Sequence, residues 1–119
     1  MYALTDEVFS SSAKLTPAVL QVAEMLGMYH AELARVLHLL CEDIGDLADI
    51  KTLLEPNSLA WQQAVLFIQF YQTLYDYLQG DEVAIYHWLR AENRKLKGVP
   101  LMLIVDEDKL HEVLDFILQ

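Results

Sequence analysis

The sequence predicts an all-α fold from three observations. Apolar residues recur at spacings of three and four, cap-forming residues punctuate the recurrences, and only four Gly and three Pro interrupt 119 residues. Strand-rich chains need more turn residues than that. At 55% hydrophobic and 22% charged residues the chain has enough apolar material for a core and lies far from disordered compositions. Its length suits one domain, or two small helical subdomains sharing a core.

Residues 1–14 contain Asp6 and Glu7 and lack a basic stretch before an apolar run, so they read as a flexible tail rather than a secretion signal. Thr16 and Pro17 then supply an N-cap and first-turn pair, Leu20, Val22, Ala23 and Leu26 form the apolar face, and Gly27 ends the helix. A second helix is expected over residues 30–40, with Leu33, Ala34, Leu37 and Leu40 on one face. Ile44, Leu47, Ile50 and Leu54 predict a third over residues 41–54, stopped by Pro56. The longest helix is expected over residues 58–79, capped by Asn57 or Ser58. Gly80 and Asp81 separate it from a helix over 82–91, residues 93–99 read as a loop, and Pro100 opens a short helix to Ile104. A last helix begins within residues 106–108 and carries Leu110, Val113, Leu114 and Ile117.

The helix over 58–79 is apolar around nearly its whole circumference, so it needs cover on every side. Two arrangements supply it: the helix is the centre of a monomer, or Trp61, Val65, Ile68, Tyr71 and Tyr75 meet a second copy in a homodimer or higher oligomer. Its longest unbroken apolar run, residues 64–68, falls short of the ~18 residues needed to span a bilayer. A reducing cytoplasm suits the single cysteine, Cys41, which also excludes an internal disulfide and a multi-cysteine zinc site.

Charge narrows the function classes. A formal net charge of -10, from 18 acids against 8 basic side chains, opposes nucleic-acid binding and favours a basic partner or simple solubility. Half of the 8 basic residues, Arg90, Arg94, Lys95 and Lys97, nevertheless fall in one short stretch with Glu92 as its single acid. That stretch is either a solvated loop or a docking patch on an otherwise acidic molecule. His38 and Cys41 lie one helical turn apart, but two ligands make no metal site. Neither a nucleophile elbow nor a Gly-rich phosphate loop is present, so the chain reads as non-enzymatic, without cofactor or metal.

Ala34, Ile44 and Leu47 fit the packing frame of a helix-turn-helix, with His38 at the turn where Gly is usual. The position of the recognition helix carries Glu42, Asp43, Asp46 and Asp49, which would face phosphate.

Further along, Ala84, Trp88-Leu89, Asn93, Leu96, Gly98, Pro100-Leu101, Leu103-Ile104 and then Leu110, Val113 and Leu114 form a pattern of several ordered parts. It resembles the C-terminal domain of the MbcA/ParS/Xre antitoxin family, and residues 17–47 are similar to that family's Xre-type helix-turn-helix. The resemblance implies a bacterial antitoxin that binds and neutralises a RES-type, NAD-consuming toxin by covering its active-site entrance. In many members the helix-turn-helix also represses the operon, a role the acidic recognition position here opposes. Lys109 and His38 stand where relatives often carry Gly. Residue patterning and the resemblance together divide the chain into a flexible tail (1–14), a helix-turn-helix-like unit (15–56), a central helix (57–80) that is one candidate for dimerisation, and a toxin-binding unit (81–119). Trp88, Arg90, Asn93, Arg94, Lys97, Gly98 and Pro100 are the expected toxin-facing residues. The alternative is an orphan helix-turn-helix DNA-binding transcriptional regulator.

Overall fold

A computed structural model describes residues 11–119, which form seven α-helices and no strand. Most of the expected tail, residues 1–10, lies outside the described residues, but α1 (Ser12–Met25) is already helical where the tail was expected to continue. Thr16 is therefore not an N-cap. It is buried inside α1, where its hydroxyl oxygen accepts a hydrogen bond from the Leu54 amide at 3.0 Å, while the Ser12 hydroxyl donates to the Leu54 carbonyl at 2.7 Å. Pro17 consequently sits inside the helix and forgoes a ladder bond. The tie to Leu54 and the complete burial of Leu15 offset that loss.

The next two helices are shorter than their apolar spacing predicts. In α2 (His30–Leu37) the chain turns at His38, with φ of 59° and ψ of 40°, and the Leu39 amide closes back on the Ala34 carbonyl at 2.9 Å. Leu40, expected on the apolar face of this helix, is instead exposed and starts α3 (Cys41–Ala48). That helix ends the same way, with Ile50 at φ 62° and the Lys51 amide on the Asp46 carbonyl at 2.9 Å. Ile50 therefore points away from the core, 82% exposed, and the expected helix over 41–54 gives way to an irregular stretch whose Leu54 is buried against α1.

Ser58 caps α4 (Leu59–Tyr77), its hydroxyl oxygen accepting from the Trp61 amide at 3.1 Å. Asp81 caps α5 (Glu82–Arg90) through the Ala84 amide at 3.0 Å. Pro100 is the first residue of α6 (Pro100–Val105), and α7 (Leu110–Leu118) starts beyond the expected 106–108 because Asp108 takes φ 56° in the connecting turn.

The layout centres on α4, which packs against α1, α2, α5 and α7. A second tier links α2 to α3 and α6, and α6 to α5 and α7. Phe67, Phe70, Ile68 and Leu74 of α4 are fully buried in the shared core, with Leu15, Leu33, Leu37, Ile44, Leu89 and Leu110 from the surrounding helices. Polar ties reinforce the tiers: Gln63 donates to the Val36 carbonyl at 3.0 Å, and Arg35 pairs with Asp106 at 2.8 Å. Among the described residues no helix is long and apolar enough to cross a membrane.

Candidate functional site

The loop between α5 and α6 gathers most of the residues the sequence singles out, and its shape follows from backbone bonds. The Asn93 amide donates to the Gly98 carbonyl at 2.8 Å, and the Gly98 amide returns to the Asn93 carbonyl at 3.3 Å. Inside this closure the Asn93 side-chain oxygen accepts from the Lys95 and Leu96 amides at 3.0 and 3.1 Å, which fixes the turn as an Asx motif. Lys97 takes φ 61° to let the chain return. A Cβ on Gly98 would lie 3.2 Å from the end of the Leu103 side chain, so a larger residue here would press on the contact between the loop and α6. Pro100, buried, then opens α6 with its fixed φ.

Asn93, Gly98 and Pro100 thus build the loop, and Arg94, Lys95 and Lys97 are exposed on it. Among the described residues none forms an ion pair with these three head groups. Trp88 is half-buried at the base of the loop, edge-on to Tyr77 at 6.4 Å.

Arg90 is separated from the others in role. Its guanidinium turns inward and donates to the carbonyls of Leu26 at 2.8 Å and Gly27 at 3.2 Å, where α1 ends, and to the Tyr86 carbonyl at 3.2 Å. It also lies over the Tyr86 ring, 3.7 Å from the centroid. A cation at the carbonyl end of a helix is favoured by the helix dipole as well as by the bonds themselves. Gly27, at φ 72°, lets the chain pass beneath this stack, since a Cβ there would come within 3.1 Å of Tyr86 and 3.2 Å of Arg90.

Of the five residues expected at a dimer contact, Trp61, Ile68 and Tyr71 are buried within the chain itself, while Val65 and Tyr75 keep partial exposure. Burial, then the negative charge of Glu82 and the neighbouring Tyr75, raise the Tyr71 phenol above its ordinary pKa, and its hydroxyl meets the Met25 sulfur at 3.7 Å.

Glu42 on α3 and Asp49 just past its end are exposed, and Asp46 is half-buried. Asp43 caps its own helix, accepting from the Leu40 amide at 2.9 Å. His38 Nε2 lies 3.0 Å from an Asp108 carboxylate oxygen and Cys41 is exposed; among the described residues no three His, Cys, Asp or Glu side chains come together as a metal site. No family model and no curated protein matches the chain.

Proposed function

We propose that this protein is an antitoxin of the MbcA/ParS/Xre kind, binding and neutralising a RES-type toxin through the loop between α5 and α6. The observation that carries the reading is the construction of that loop. The residues of the resemblance, Asn93, Gly98, Pro100 and Leu103, are the ones that close and seat it, and they hold Arg94, Lys95 and Lys97 outward on a molecule of net charge -10. A loop ordered before binding loses little entropy on docking, and opposite charge speeds and orients encounter.

A variant carrying Arg94→Ala and Lys97→Ala is expected to bind the toxin about tenfold more weakly at low salt, mainly through slower association, with the difference shrinking as salt rises. Calorimetry and stopped-flow at two salt concentrations read both effects. Unchanged affinity would transfer the contact to α7 around His111 and Asp115. Arg90 is left intact in this variant because its guanidinium binds the end of α1. A RES-domain reading frame beside this one would support the pairing independently.

One observation favours the second reading, an orphan helix-turn-helix regulator. His38 adopts the left-handed turn in which such motifs commonly place Gly, and Ala34, Ile44 and Leu47 are buried as that frame requires. The exposed Glu42 and Asp49 weigh against DNA contact. A DNA mobility shift with steep salt dependence would favour the regulator; its absence favours the antitoxin.

A further inference from the structure

A groove of about 450 Å3 opens between α3 and the start of α4, and it shares no lining residue with the loop between α5 and α6. Leu47, Leu54 and Ala60 form its buried floor, and the half-exposed Leu53 and Leu59 stand on its walls. Leu40 and Ile50, both largely exposed, stand in the turns at either end of α3, outside the groove's lining. Ile50 also holds a positive φ, which a β-branched side chain adopts only at a cost.

The charge around the groove is one-sided. Asp43 and Glu55 line it, Glu42 is exposed in the first turn of α3, and Asp108 pairs with the lining His38. His38 is the basic group in its lining, and Lys51 precedes the lining Thr52 in the chain. A two-fold pairing of this face with itself would bring both copies of Glu42, Asp43 and Glu55 into one interface, an accumulation of like charge that opposes it. Phosphate would be repelled for the same reason.

We propose that this groove docks a basic amphipathic helix of a partner protein, whose apolar side chains enter between Leu53 and Leu59 and whose Lys or Arg residues meet Asp43, Glu55 and Glu42. A cavity of this volume takes a few side chains from one helix face, spaced at i, i+4 and i+7. The proposal does not depend on the loop being a toxin contact.

The probe is a capped peptide of about 18 residues with Leu at those spacings and Lys elsewhere, titrated into the full chain by fluorescence anisotropy; a control peptide carries Glu in place of Lys. The Lys peptide should bind at least about tenfold more tightly than the Glu peptide, and more weakly as salt rises. Leu59→Lys and Glu55→Lys should each weaken it at least about tenfold, whereas Val83→Lys, on an exposed position of α5, should not. Should Leu59→Lys lower the helical signal, Leu53→Ser and Leu59→Ser serve as milder variants for the same comparison. Equal affinity for both peptides, or affinity indifferent to the groove substitutions, would overturn the proposal. Self-association that Leu59→Lys abolishes, without peptide binding, would assign the groove to a second copy. Peptide binding that tightens at least about tenfold in a Val8→Asp, Phe9→Asp variant would assign it to the chain's own first residues. Either of those outcomes also overturns it.

Discussion

Arg90 shows how one side chain can belong to two helices. Its guanidinium stacks on Tyr86, one turn earlier in α5, and closes the carbonyl end of α1 through Leu26 and Gly27. Replacing it with Ala strips a charged partner from the part-buried Leu26 carbonyl and from the exposed Gly27 carbonyl, and is expected to destabilise the fold by about 1–3 kcal/mol. Arg90→Lys should recover only part of this, because an ammonium lacks the planar fork that spans two carbonyls and stacks on a ring. Urea denaturation of both variants provides the measurement, and an unchanged midpoint in Arg90→Ala would mean that the clasp contributes nothing in solution. From sequence alone Arg90 looks like one more charge in a basic cluster. The Tyr86–Arg90 spacing is visible there, but the carbonyls it reaches lie far away in the chain, and no local pattern announces them. Asn93, by contrast, acts within its own loop, and its place in a Leu-x-Gly-x-Pro-framed turn is readable directly.

At the scale of elements, the same distinction decides which helix boundaries are legible. Ser58 and Asp81 are caps recognisable by residue type, and both bond the amides expected of them. Leu40 and Ile50 mislead because they continue the apolar spacing of the preceding helix, and periodicity carries no information about backbone sign. His38 and Ile50 turn left-handed without glycine, so the usual stop signal is missing at both ends. Thr16 misleads in the opposite sense: a residue suited to capping is held inside α1 by a backbone amide from the stretch after α3. Thr16→Val keeps the shape of that side chain and removes the acceptor from a buried N–H, which is expected to cost about 1–3 kcal/mol. Thermal unfolding followed by circular dichroism tests this. No change in stability would indicate that the Leu54 segment finds another partner or contributes little to holding α1.

Over the whole molecule, the all-α class and the surplus of acid were legible because they are sums over many residues, insensitive to any one boundary. The cover of α4 was not, since a helix apolar all round can be enclosed by its own chain or by a copy, and composition is the same for both. Here α1, α2, α5 and α7 pack around it and bury Trp61, Ile68 and Tyr71. The tie of Leu54 to α1 has a further consequence. The exposed turn at residues 49–53 connects two parts of the sequence that are already joined through Leu54, through α1 on α4, and through the Gln63 bond to α2. A single protease cut after Lys51 would therefore break the covalent thread without dissolving the body, and the two fragments should co-elute and keep their helical spectrum. Their dissociation would show that the buried contact between them is too weak to replace the effective concentration that the intact turn provides. If they hold together, the chain is a natural complementation pair, able to be made as two pieces and reassembled around α4.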